Sequence, residues 1–327
     1  MKSSHISRRS FLGTAVTAAA AFAIIPIDAL AIPKKSKKPN SKVGGVQLGV
    51  TTYSYGRMPH KVDDVIQYLL FAGVNSIELR NVAEEDLGIP SLPPRPRGQE
   101  ISEKEKADYA KAQSELKDKQ KQWRLSLPMS RYEDMRKKFN SAGIKVNIAK
   151  LTPSSWSDEE IDYAYNAAKI LGAIGITDEY SDMAIKRLGK FAEKHHSLAM
   201  YHTHQQPAEP GFSFDTMFTY SPANYLNLDA GHYYGATGLH PNDVIAKYHN
   251  KIRSIHIKDK TGPKSTPAGA NMPFGKGETP IADILLLLKK EKWPINVDVE
   301  LEYQIPEGSD AAKETAKAIE YMRNILE

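Results

Sequence analysis

From Gln47 to the C-terminal end, short runs rich in β-branched residues alternate with stretches whose apolar residues recur at three and four. Few architectures tolerate that order. The strand-like runs are 47–53, 75–80, 144–151, 173–177, 197–204, 225–229, 252–258 and 295–302. Between them Val62, Val65, Ile66, Leu69 and Leu70 mark one helical face, and similar patterns occupy 161–171, 183–194, 243–248, 281–290 and 311–326. Eight strands that each return through a helix predict a closed parallel (β/α)₈ barrel rather than an open sheet. No glycine-rich phosphate loop follows the first strand, which sets a dinucleotide-binding fold aside. Such a barrel holds ~250 residues in one domain, so one catalytic domain over 46–327 accounts for most of this 327-residue chain.

Two segments break the rhythm. Residues 83–131 contain a proline-rich stretch at 89–96 and then a highly charged helix over 102–123; residues 260–279 are rich in glycine and proline and end in Pro273-Phe274-Gly275-Lys276-Gly277. Both follow strands, so both belong on the C-terminal face, where barrel active sites form, and both are candidate lids.

The N-terminal residues read as an address. Ser7-Arg8-Arg9-Ser10-Phe11-Leu12-Gly13 resembles a twin-arginine export motif and precedes a mildly apolar, alanine-rich stretch broken by Pro26 and Asp28. A spanning helix needs ~20 apolar residues without such breaks, so no membrane anchor is expected. Ala29-Leu30-Ala31 supplies a small-x-small cleavage signature. We therefore expect a signal peptide over 1–31, a basic linker over 32–45, and a mature chain located outside the cytoplasm.

Charge then excludes one class of partner. The chain carries 44 basic and 39 acidic residues, a net +5. Without residues 1–31 it loses three basic and one acidic residue, which leaves 41 against 38, or +3. That excess is too small to argue for nucleic acid. No cysteine is present, so disulfides, thiolate nucleophiles and cysteine-bound zinc are all ruled out.

Four successive strands end in chemistry-bearing residues. They read Tyr201-His202-Thr203-His204, Leu228-Asp229-Ala230-Gly231-His232, His256-Ile257-Lys258-Asp259 and Val299-Glu300-Leu301-Glu302. Strand residues two apart share a face. His202 with His204, His256 with Lys258, and Glu300 with Glu302 therefore point together into the barrel mouth. Ile255, Ile257, Val299 and Leu301 point toward the helices. Imidazoles and carboxylates converging from adjacent strands suit one divalent ion such as Mn²⁺, Co²⁺ or Zn²⁺. Glu78 and Arg80 end the second strand and are candidates for the pocket wall. Trp123 and Trp156 read as packing residues, and Lys276 as a solvated loop charge.

The order His-x-His, Leu-Asp-x-Gly-His, His-x-Lys-Asp, Gly-x-Gly and Val-Glu-x-Glu resembles the xylose isomerase-like barrels, the sugar phosphate isomerase/epimerase group that also includes endonuclease IV-type enzymes. The resemblance runs over about 46–326. It implies a metal held by Glu, Asp, His and Glu, onto which Asp229, His256 and Glu300 map as the last three ligands. His202 stands where the group usually has its first Glu. Glu300, seven residues after Trp293, fits the group's spacing better than Glu302. The resemblance also makes His232 a substrate-contacting histidine and brings Lys258 within reach of substrate oxygens.

The expected chemistry is proton abstraction next to a carbonyl on a free sugar or related polyol, an isomerase or epimerase activity. Glu300, His232 and Lys258 are the candidate catalytic residues; His204, Glu78 and Glu302 are candidates for substrate binding. Replacing one carboxylate by His202 argues against symmetrical two-base epimerisation, so a keto-glycoside lyase or hydrolase on the same site is the alternative. A non-catalytic sugar-binding barrel would have little need of the ligand set. An abasic-site nuclease would need more ligands and a more basic surface. The partners expected are a small-molecule sugar and, where the protein assembles, further copies of itself.

Overall fold

The computed structural model describes residues 38–93 and 102–327. The expected signal peptide over 1–31 and the start of the linker lie outside the described residues. Eight parallel strands form the barrel: β1 (Val46–Thr51), β2 (Ser76–Leu79), β3 (Lys145–Ala149), β4 (Gly175–Glu179), β5 (Leu198–His202), β6 (Asn224–Asp229), β7 (Ile252–Ile257) and β8 (Asn296–Val299). Each pairs with its sequence neighbour, and β1 pairs in parallel with both β2 and β8, which closes the cylinder.

Alternation along the strands divides the residues between two environments. Leu48, Val50, Ile77, Leu79, Ile148, Leu226, Leu228, Ile255, Ile257, Val297 and Val299 are all buried and form the apolar layer under the helices. The intervening positions fill the barrel with polar side chains. Asn227 on β6 donates across the lumen to Glu78 Oε2 on β2 at 2.7 Å, and Thr51 donates to Glu78 Oε1 at 3.1 Å. Barrels of this size normally fill their centre with bulky branched residues.

All eight expected strands are present, with shifted ends. The fourth runs two residues further than its apolar run suggests, to Glu179. The first stops at Thr51, where residues 52–55 turn into a 3₁₀ helix. The chain preceding β1 is tied to the barrel from Ser41 on: the Ser41 hydroxyl donates to Leu48 O at 2.6 Å, and Lys42–Val43 pairs with Val46–Gln47.

The main helices are α1 (Val62–Ala72), α2 (Glu103–Ser126), α3 (Ser130–Ser141), α4 (Asp158–Leu171), α5 (Asp182–His195), α6 (Ala230–Thr237), α7 (Pro241–Tyr248), α8 (Ile281–Glu291) and α9 (Ala311–Leu326), and seven of them match their sequence patterns. α3 and α6 have no counterpart in the sequence reading. Among the described residues no helix is long and apolar enough to cross a membrane.

Both interrupting segments are anchored. Arg124 at the end of α2 is buried and pairs with Glu84 at 2.8 Å and Glu160 at 3.0 Å, while Trp156 lies over its guanidinium. In the second segment the Asp259 carboxylate accepts from the backbone N–H groups of Gly275, Gly277 and Thr279 at 2.8–3.2 Å. Gly277 makes that turn close enough, because a Cβ there would lie 2.3 Å from Asp259 Oδ1.

Candidate active site

The strand ends bring four of the sequence-predicted ligands to one point at the C-terminal end of the barrel. One donor atom from each of His202, Asp229, His256 and Glu300 lies within 4.8 Å of the others, and all four residues are buried. The backbone explains the convergence. His202 ends β5, Asp229 ends β6 in register with His256 on β7, and Glu300 follows β8 with its N–H on Ile257 O. Asp229 is fixed by its cap: Oδ1 accepts from the His232 N–H at 2.7 Å at the start of α6, which leaves Oδ2 turned to the site.

Each member of the quartet has a distinct electrostatic setting. His202 is fully desolvated, which pushes its pKa well below the usual imidazole value, and Lys150 and His256 nearby act in the same direction. It is therefore a neutral imidazole, and its Nδ1 has no hydrogen-bond partner among the described residues. Burial also opposes charge on His256, but Glu78 and Glu300 outweigh it and raise the pKa to about 10. Its Nε2 donates to Glu78 at 3.1 Å and its Nδ1 to Glu300 at 3.1 Å. Glu300 is held well below the ordinary carboxylate range; burial works against this and the charges of Lys258 and His256 overcome it.

Lys258 stands among these carboxylates. Its Nζ is 2.9 Å from Asp229 Oδ2, 2.7 Å from Glu300 Oε2 and 3.0 Å from Glu302 Oε2, with only 2% of the side chain exposed. Its stem runs past Gly231, where a Cβ would meet Lys258 Cγ at 2.3 Å. The glycine of the Leu-Asp-x-Gly-His motif is thus the space the lysine occupies. Burial disfavours the ammonium, yet the three acids hold the Lys258 pKa above its ordinary value.

Toward solvent, His204 and His232 stand over the quartet with ring centroids 4.7 Å apart, and with His202 they form a second, overlapping group of three imidazoles. His232 Nε2 is 3.5 Å from Glu302 Oε2. His204 Nε2 contacts Glu179 Oε2 at 3.0 Å, and the buried Lys150 holds the other oxygen of Glu179 at 2.8 Å. Glu78 lies next to the end of β2 and has no exposed surface. It lies beneath His256 rather than along the open wall. Arg80 lies over the Tyr53 ring, 4.7 Å from its centroid.

Sequence reading did not single out Lys150, Glu179, Asn227 or Asp298. Asn227 and Asp298 precede Asp229 and Glu300 by two, so the same alternation that selected the ligands also points to them. Glu179 was hidden by ending the fourth strand at Thr177. Lys150 carried no signal beyond its place at a strand end.

The donor set fits a divalent ion. It offers a neutral imidazole with a free nitrogen at His202, the carboxylates of Asp229 and Glu300, and His256, whose Nδ1 becomes a ligand once it gives up the proton it shares with Glu300 while Glu78 holds the ring from its far side, a support that metal-binding histidines commonly have.

The family description Xylose isomerase-like TIM barrel matches residues 177–325, which include the whole quartet. No curated protein sequence matches the chain. Among solved structures, a sugar phosphate isomerase/epimerase from Parabacteroides distasonis is similar over 91% of this chain and 98% of its own, at 17% identity and a TM-score of 0.58. A probable 3-DHS dehydratase from Bacillus anthracis is similar over 85% and 98%, at 13% identity and 0.56. A xylose isomerase-like TIM barrel protein from Mycobacterium smegmatis, in complex with magnesium, is similar over 86% and 96%, at 15% identity and 0.53. The fold of this chain is thus a xylose isomerase-like (β/α)₈ barrel.

Proposed function

We propose that the protein is a metal-dependent sugar isomerase or epimerase that moves a proton on a carbon next to a carbonyl, with a free sugar or related polyol as substrate. The observation that carries this reading is the buried quartet of His202, Asp229, His256 and Glu300 beneath an open rim of imidazoles and acids. A divalent ion held by those four residues would supply Lewis acidity to a carbonyl and its neighbouring hydroxyl oxygen.

The remaining work falls to side chains. Glu300 is ionised and is the candidate proton acceptor. Lys258 carries a proton at Nζ that it can share with a substrate oxygen. His232, half-buried between the quartet and the rim, is positioned to carry a proton between substrate and Glu302. His204 and Glu302 contribute polar atoms suited to hydroxyl groups, and Glu78 holds the His256 ring in place from below. The substrate reading favours a free sugar because no phosphate loop follows the first strand. The leader-like residues 1–31 extend the proposal to a location outside the cytoplasm.

His202 supports a second reading, β-elimination from a keto-glycoside. An imidazole in place of a second carboxylate leaves one acidic base to remove a proton, and elimination needs only one. The neighbour described as a probable dehydratase is in keeping with such chemistry on this fold.

One experiment separates these readings. Purified protein supplied with Mn²⁺ is incubated in D₂O with a panel of free ketoses, aldoses and 3-keto-glycosides, followed by NMR. Deuterium at the carbon beside the carbonyl of a free sugar supports the isomerase reading. Release of an aglycone supports elimination. Neither outcome on any substrate would overturn both.

A further inference from the structure

We infer that Lys258 is a tethered cation that occupies the carboxylate side of the metal site and competes with a divalent ion for Asp229 and Glu300. The inference rests on the metal-binding part of the proposed function and extends it to a residue outside the ligand quartet.

Three observations carry it. Nζ is within 2.9 Å of one carboxylate oxygen from each of two quartet members, Asp229 Oδ2 and Glu300 Oε2. A metal ligated by those oxygens and the Lys258 ammonium would claim the same lone pairs and repel each other. The lysine is also built in rather than incidental. Gly231 leaves room for its stem, and the side chain is almost wholly enclosed. Finally, the ammonium has an alternative partner. Glu302 Oε2 lies 3.0 Å away on the rim side and belongs to no ligand group. Lys258 can therefore yield Asp229 and Glu300 while keeping one ion pair.

The arrangement has a clear physical consequence. Several acids converge on the barrel mouth, and buried carboxylates without a counter-charge are strongly destabilising. Lys258 supplies part of that counter-charge when no metal is bound. The barrel should consequently stay folded when stripped of metal, at the expense of metal affinity.

The test is calorimetric titration of Mn²⁺ into chelator-treated full-length protein. Lys258→Met should bind at least about tenfold more tightly than wild type, and Lys258→Gln should behave alike. Lys150→Met is the control for charge acting through space. Lys150 is also buried near the site, but it pairs with Glu179 and touches no quartet member in an ion pair. Its removal should change affinity by less than about threefold. A thermal melt gives an independent reading: chelation should lower the melting temperature of Lys258→Met far more than that of wild type, and added Mn²⁺ should restore it. A variant that folds only with Mn²⁺ present carries the same meaning.

Equal or weaker Mn²⁺ binding by both Lys258 variants, once folded without metal, would overturn the inference. So would binding by none of the proteins. Should wild type bind no metal while Lys258→Met does, competition stands and the metal-dependent reading of wild type fails.

Discussion

Asp298 lies one inward step below Glu300 on β8, and burial, followed by the charge of Glu78, raises its pKa from 3.8 to about 6. An acid with a raised folded pKa keeps its proton in the barrel while the unfolded chain releases it. Stability therefore falls as pH rises from about 4 to 6, and the full cost persists above 6. Asn cannot titrate. The stability difference between Asp298→Asn and wild type should grow in favour of the variant by on the order of 3 kcal/mol between pH 4 and pH 7, measured by urea unfolding of metal-free protein. A difference that does not change with pH would mean Asp298 ionises freely. Glu300 carries the second prediction. As the proposed base, its replacement by Gln should reduce kcat by at least about 10²-fold, measured on whichever substrate exchanges deuterium. Near-normal turnover would move the base to His232 or Glu302. The quartet was legible in the sequence because a period of two and a common strand end suffice to place it. The central position of Lys258 was not. Spacing brings it inward, but its reach to Asp229 depends on the cavity beside Gly231, which only packing reveals.

The apolar runs identify all eight strands because each must bury one face under a helix, and that demand is local. Strand ends are less legible, since Glu179 continues β4 by pairing with His202 rather than by any apolar signal. α3 escaped notice for a related reason. Its buried face is only Tyr132, Met135 and Phe139 amid charged residues. α6 begins directly at Asp229 and contains two glycines, so its start depends on a cap that doubles as a site residue. The charged α2 offers the element-level prediction. Its residues are largely exposed, and Arg124 ties it to Glu84 and Glu160 through a buried pair on each side. Arg124→Met would leave two buried carboxylates without their counter-charge, a local cost of about 3–5 kcal/mol. Hydrogen exchange should accelerate across 103–126 while the barrel strands keep their protection. Unchanged exchange in α2 would mean that other contacts hold the helix.

For the entire chain, the barrel and the proposed export signal should make separable demands, because the polar lumen, the quartet and the closing β1–β2 pairing all lie within 46–327. Arg8 and Arg9 lie outside the described residues, and their proposed role is to be read by an export receptor. Replacing both by Lys keeps the charge at +5 and keeps the length and apolar content of the leader. The change therefore tests recognition of the arginine pair rather than general electrostatics or hydrophobicity. The variant should accumulate in the cytoplasm at its unprocessed length, and after purification it should show the same melting temperature and the same Mn²⁺ affinity as protein beginning at Ile32. Fractionation with N-terminal sequencing reads the first outcome, and melting with calorimetry reads the second. Normal export of the Lys-Lys variant would remove the twin-arginine assignment and with it the case for an extracytoplasmic sugar. A leader that altered metal affinity would show instead that residues 1–31 act on the site, and the two demands would no longer be independent.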